Sequence, residues 1–228
     1  MKQRGLTQAE FDAYGTVSIA GIQSRRLDML HGSYRTVFKL EGSHGGACAG
    51  FFWYHVSVLC SSSLENCPAD PTFQDDRSEI DIELVTVGTS FVNNTISFTS
   101  HPSLAADGQP IPNATVLKPL SDSQFQPKVF REYRFDSHPD FGVQYFVDGR
   151  LVHVNRLNVP TDGMGGSLQF KLWADGNRWW SGRPSTTDVF LSIKSIVAYF
   201  NTSSLDPEWV DACEAAGGPG EETICYAA

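Results

Sequence analysis

The segment RSEIDIEL, residues 77–84, narrows the possible folds more than any other stretch of the chain. Taken as a strand, its side chains alternate between two faces. Ser78, Ile80, Ile82 and Leu84 share one face, and Arg77, Glu79, Asp81 and Glu83 share the other. The first face belongs on a core. The second sets carboxylates in a row, and like charges side by side on a strand face repel. A sheet packed on one side and open on the other accommodates both. Alignment of the acids adds nothing to stability, so its reason lies in chemistry.

A carboxylate pair suits cleavage of a glycosidic bond. A retaining glycosidase holds two carboxyls about 5 Å apart across the bond, one as nucleophile and one as acid/base. At strand rise the backbones of Glu79 and Glu83 are about 13 Å apart. Side chains leaning together over a curved sheet close much of that gap. Asp81 lies between them, and its charge helps keep an acid protonated near neutral pH. The competing reading is a solvated acidic strand face.

The rest of the chain has the same texture. Strands are expected over 16–24, 33–40, 46–58, 78–85, 92–100, 129–136, 142–147, 150–155, 166–173 and 188–200. Asp148-Gly149, between two alternating runs, signals a tight hairpin. Many short strands broken by Gly, Pro, Asn and Asp point to an all-β sandwich or jelly roll. Residues 61–76 and 101–128 read as long irregular loops, the second carrying prolines at 102, 110, 112, 119 and 127. The first 15 residues stay open between a helical turn and a strand.

After Asn201 the character changes. Asp206-Pro207 supplies an N-cap and a first-turn proline for a short helix over 207–216. One catalytic domain over 1–204 and an appendage over 205–228 follow from this. Cys213 and Cys225 bracket a Gly/Pro-rich tail, and Cys60 and Cys67 bracket a loop, so each pair suits a local disulfide. Cys48 is then a buried thiol in a strand. No Cys-x-x-Cys and no zinc-type His pair is present.

A chain of 228 residues with 41% hydrophobic content fits one sandwich domain with a sizeable core. The formal charge of −9 argues against nucleic acid or an anionic membrane as partner. No apolar run approaches the roughly 18 residues that span a bilayer. The first residues lack the apolar region of a signal peptide. The sequons at Asn93, Asn113 and Asn201, with the cysteines, point outside the cell nonetheless.

Two aromatic runs frame the acids. In GGACAGFFWYH, residues 45–55, Trp53 and His55 share one strand face and Phe52 and Tyr54 the other. One face meets the core and the other is free for a ligand. In residues 167–173, Ser167, Gln169, Lys171 and Trp173 share a face too polar for a core. Trp173 is therefore a candidate platform for a pyranose ring. Trp179 and Trp180 follow in a loop, and outer packing explains Trp179 equally well.

EIDIE, Glu79 to Glu83, resembles the catalytic signature of the family-16 glycoside hydrolases. Its spacing is similar to the lichenase and xyloglucan-transferase branches and lacks the extra residue of many laminarinases. The resemblance implies a concanavalin-like jelly roll of two antiparallel sheets. It implies retaining endo-hydrolysis of β-1,3- or mixed β-1,3/1,4-glucan, with Glu79 as nucleophile, Asp81 as its assistant and Glu83 as general acid/base. The family's Phe-Phe-x-Tyr run is matched by Phe51, Phe52 and Tyr54, which implies Tyr54, with Trp53, near the cleft. Trp173, Trp180 and Gly182 match a second family pattern, implying both tryptophans as substrate contacts. The hairpin ending in Val147-Asp148-Gly149 also matches, but Ser137 stands where a Trp is usual. Arg35 and Val37 stand where Glu and Arg often help bind glucan. Several phrases are most similar to fungal members.

Arg77 is expected beside Glu79 or paired with Asp75 or Asp76. No organic cofactor is implied. Family members often carry a structural calcium, yet no stretch here resembles a dedicated calcium loop. The expected partner is a polysaccharide, the expected state a secreted or wall-associated monomer. The alternatives are a wall transglycosylase with the same carboxylates and a lectin-like module that binds glycan without cutting it. His44, His101, His138 and His153 are read as surface residues without a role.

Overall fold

The structure is a computed structural model that describes residues 1–42, 46–55, 78–86, 95–161, 163–177 and 180–203, with the isolated residues 211 and 215. Two antiparallel sheets of six strands pack face to face. One runs, in spatial order, β1 (Lys2–Gln3), β12 (Val189–Thr202), β3 (Met29–Gly42), β8 (Arg131–His138), β9 (Gly142–Val147) and β10 (Arg150–Asn155). The other runs β2 (Ala20–Gln23), β11 (Ser167–Trp173), β4 (Cys48–Tyr54), β5 (Glu79–Val85), β6 (Thr95–Ser100) and β7 (Thr115–Pro119). This is the all-β jelly roll expected from the sequence.

Aromatic rings join the layers. Phe51 of β4 stacks on Phe170 of β11 at 4.9 Å between centroids and meets Phe135 of the opposite sheet at 5.1 Å. Phe38 and Tyr133 stack at 4.3 Å. Ile80, Ile82 and Leu84 of β5 are buried in the same core. Their transfer out of water, on the order of 2 kcal/mol per side chain, holds β5 down. Holding its apolar face down turns its acidic face outward, away from the opposite sheet.

Local chemistry explains the connections. Asp148 and Gly149 both take positive φ, 49° and 74°, as a two-residue hairpin between β9 and β10 requires. The open N-terminal stretch contains a helix, α1 (Gln8–Tyr14). Thr7 and Glu10 form its capping box and Gly15, at φ 62°, ends it. Residues 101–128 are not wholly irregular. Thr115–Pro119 pairs with β6 as an edge strand, where a proline costs no ladder bond to a further neighbour.

Several expectations lie outside the described residues: the 61–76 loop, Arg77, Cys60, Cys67, Cys213, Cys225, Asn93, Trp179, His44, and all of the 207–216 helix but residues 211 and 215. Asn113 and Asn201 are described and exposed.

Candidate active site

Four strands build the site. In the register of β4 on β5, Tyr54 lies opposite Glu79, Phe52 opposite Asp81 and Gly50 opposite Glu83. Lys171 of β11 lies opposite Gly50 on one side and Gly21 on the other. Ser97 and Thr99 of β6 lie opposite Glu83 and Asp81. These side chains share the face of the sheet turned away from the core. Phe52, Tyr54, Glu79, Asp81, Glu83, Thr99 and Lys171 line a cleft of about 480 Å³ that also reaches His101, Trp173 and Trp180. A smaller apolar hollow near Leu30, Tyr34, Trp53 and Ile80 has room for about 10 Å³, roughly one water, and holds no pair of acids.

Gly50 keeps the floor open. A Cβ there would come within 3.3 Å of the Phe52 ring and 3.5 Å of Glu83 Oε1. The Lys171 ammonium lies 5.1 Å from the Phe52 ring centroid, a cation over the negative face of a π-system. Its charge also favours ionised Glu79.

Asp81, only 3% exposed, meets His101 Nε2 at 2.9 Å through Oδ2. The backbone explains this contact. His101 N–H donates to Glu79 C=O at 2.9 Å, so β6 continues its pairing one residue past Ser100 and delivers the imidazole beside the acids. The ligand atoms of Glu79, Asp81 and His101 all lie within 4.8 Å of one another. This is the one such cluster among the described residues, and its two carboxylates and one imidazole fall short of the six to eight oxygens that calcium takes.

Glu83 is held from the other side. The Cys48 thiol donates to Glu83 Oε1 at 3.3 Å, and the Trp173 indole also hydrogen-bonds the carboxyl. Burial is the main force on both glutamates. It pushes Glu79 up to about 9, with the negative charge of Asp81 adding to the rise. It pushes Glu83 up to about 7, the Cys48 and Trp173 donors partly offsetting it. A proton is therefore held more tightly on Glu79, while Glu83 ionises near neutrality.

The sequence-derived residues fall into three groups. Glu79, Asp81, Glu83, Tyr54, Trp173 and Trp180 converge on the cleft. Arg77 is outside the described residues. Trp53 is a correction: it is 2% exposed, on the core face of β4, with Nε1 donating to Met29 C=O at 3.0 Å. Alternation assigned Trp53 and Tyr54 to opposite faces, and the register with Ile80 sends Trp53 inward. Arg35, which stands where the resembling family often has a glucan-binding residue, is on the other sheet under the Tyr199 ring.

His101 and Cys48 are the residues the sequence reading missed. A lone histidine carries no pattern, but the expected strand 92–100 ends one residue before it, next to the start of the acidic strand. His101→Ala is expected to lower kcat/KM on the proper substrate about 10- to 100-fold, the scale of one hydrogen bond to a charged group. His101→Gln, which keeps a donor, should lose less. Equal rates for parent and alanine variant would remove His101 from the site.

No family model and no curated protein sequence matches the chain. Solved structures do. A Bacillus licheniformis β-glucanase superposes with a TM-score of 0.56 at 19% identity, over 88% of this chain and 77% of that one. A Crh5 transglycosylase gives 0.54 at 14% identity, over 88% and 72%. The catalytic domain of a Thermotoga petrophila endo-1,3-β-glucanase gives 0.52 at 17% identity, over 79% and 68%. At these identities the likeness establishes the jelly-roll architecture.

Proposed function

We propose that the protein is a retaining endo-glycosidase acting on a β-glucan with β-1,3 or mixed β-1,3/1,4 linkages. The observation that carries this reading is the row of Glu79, Asp81 and Glu83 on the floor of an open cleft walled by Tyr54, Trp173 and Trp180. The fold likeness to a β-glucanase and a laminarinase supports the same class of substrate. In this reading a Glu79 oxygen attacks the anomeric carbon as the bond to the leaving oxygen breaks and Glu83 gives that oxygen its proton. Glu83 then takes a proton from water, whose oxygen displaces Glu79 and frees the sugar. Asp81, tied to His101, holds the hydrogen-bonded position between the two. Tryptophan rings supply flat apolar faces for the C–H side of pyranose rings.

The assignment of nucleophile and acid follows the family resemblance. Proton affinity in the fold runs the other way, since Glu79 holds its proton more tightly than Glu83. A bound sugar decides which carboxyl faces the anomeric carbon, so the roles are to be read from the chemistry of each variant.

Transfer to a sugar hydroxyl in place of water is the second reading, favoured by the likeness to a transglycosylase. One experiment separates the two. The protein is incubated with laminarin, lichenan, xyloglucan or agarose and a fluorescent oligosaccharide acceptor. Shorter unlabelled products from laminarin or lichenan are the expected result. Longer labelled products would replace hydrolysis by transfer, and no change in any polymer would sink both. The exposed sequons at Asn113 and Asn201 support placement in the secreted or wall compartment.

A further inference from the structure

Cys48 has no place in the two-carboxylate scheme, yet it sits at its centre. It opens β4 on the cleft face, is 0% exposed and is a free thiol. A buried cysteine usually packs as a small apolar residue. This one makes two polar contacts. Its S–H donates to Glu83 Oε1 at 3.3 Å, and the Trp180 indole hydrogen-bonds it. The indole has only an N–H to give, so the sulfur is the acceptor. The chain Trp180 N–H, Cys48 S–H, Glu83 carboxyl runs from the cleft wall to its floor.

We propose that Cys48 is a positioning residue, whose thiol fixes the Glu83 carboxyl and couples it to Trp180, so that a sugar stacked on the wall and the acid/base beneath it are held as one unit. This rests on the reading of Glu83 as a reacting group. Three features of the geometry support it. Cys48 and Glu83 lie on the same face of adjoining strands as diagonal neighbours, and Gly50, directly opposite Glu83, has no side chain to intervene. The Trp173 indole reaches the same carboxyl from β11, so both cleft tryptophans converge on Glu83, one directly and one through sulfur. A donor that accepts a bond is a better donor, so contact with Trp180 strengthens the hold of the thiol on Glu83.

The physical consequence has a sign. A thiol donating to Glu83 stabilises the carboxylate more than the acid. Removing it makes Glu83 hold its proton to higher pH. Burial of the site and the charge of Glu79 push the same way, while the Trp173 donor and the charge of His101 pull the other way and are untouched by the substitution.

The test compares Cys48→Ala, Cys48→Ser and the parent by two readouts. The first is the pH profile of kcat/KM on laminarin. The second is the titration of Glu83 in protein labelled with carboxyl-13C glutamate, the signal assigned by its loss in Glu83→Gln. For Cys48→Ala the Glu83 titration, and the limb of the pH profile that Glu83 sets, are both expected to move up by about 1 pH unit. Serine, which keeps a donor, should restore both to within a few tenths. Trp180→Phe, which leaves the core intact, should move the Glu83 titration the same way by less, and it serves if Cys48→Ala does not fold. Unchanged titration in the alanine and phenylalanine variants would overturn the proposal, as would a serine variant no better than alanine. The two ideas fail separately. If no glucan is cut but the titration moves, the network stands and the glycosidase reading falls. If glucan is cut and the titration does not move, Cys48 is packing alone.

Discussion

Glu79→Ala is expected to lose about 10⁴-fold or more in kcat, and sodium azide is expected to restore turnover by forming the α-glycosyl azide. The small anion fills the space left by the carboxylate and attacks the anomeric carbon from the same side. Without a covalent intermediate there is one displacement, and the configuration inverts. Glu83→Ala should behave differently. The glycosyl-enzyme still forms, slowly with a poor leaving group and faster with an activated aryl glycoside, because loss of a general acid costs about 10²–10⁴-fold. Azide then intercepts the intermediate and gives the β-glycosyl azide. The anomer, read by proton NMR, reports which carboxyl is which. This matters here because proton affinity in the fold places the tighter proton on Glu79. Swapped anomers between the two variants would make Glu83 the nucleophile and Glu79 the acid. Absence of rescue in both, with folded protein and an aryl glycoside as substrate, would remove the double-displacement scheme.

The same carboxyls that serve the chemistry should cost stability, and Glu79→Gln is expected to be more stable than the parent above neutral pH. The sign follows from burial. Glu79 has an ordinary value of 4.5 and is pushed up to about 9 in the fold, and Glu83 to about 7. Between about pH 4.5 and those values the folded chain keeps protons that the unfolded chain has released. The stability present below pH 4.5 is therefore lost as pH rises through 7 and on toward 9. Glutamine removes the Glu79 share because it never ionises. At pH 8 the variant should melt higher by roughly 5 °C or more, the effect of a few kcal/mol on a domain of this size. Near pH 4.5 the two melting curves should coincide. Partly exposed acids such as Glu10 and Asp188, held below their ordinary values by Thr7 and Lys2 respectively, are common to both proteins and cancel. A glutamine variant no more stable than the parent at pH 8 would mean that Glu79 is solvated in the free protein. The trade is a general one, in which a site built for reaction is a site not built for stability.

What could be read without coordinates was whatever depends on local period. The alternation of residues 78–84 gave a strand with one apolar and one acidic face, and β5 has both. Asp148-Gly149 gave a hairpin, because positive φ at two successive positions is a local demand. Edge strand β7 escaped, since the prolines spread through residues 101–128 read as loop and only its pairing with β6 makes it a strand. Trp53 escaped for a related reason. Period two separates Trp53 from Tyr54 but does not name the face that meets the core.

That choice belongs to the tertiary structure. The register of β4 on β5 sets Trp53 opposite Ile80 and Tyr54 opposite Glu79, and burial of the isoleucines settles the rest. His101 and Cys48 reach the acids only because β6 and β4 flank β5, and no spacing in the chain encodes which strands become neighbours. The proton affinities of the glutamates are likewise a property of the packed sheet, since they arise chiefly from burial. The chain by itself determined which residues lie on one strand face. Packing alone decided which side chains meet across strands, because those contacts are made between segments far apart in sequence.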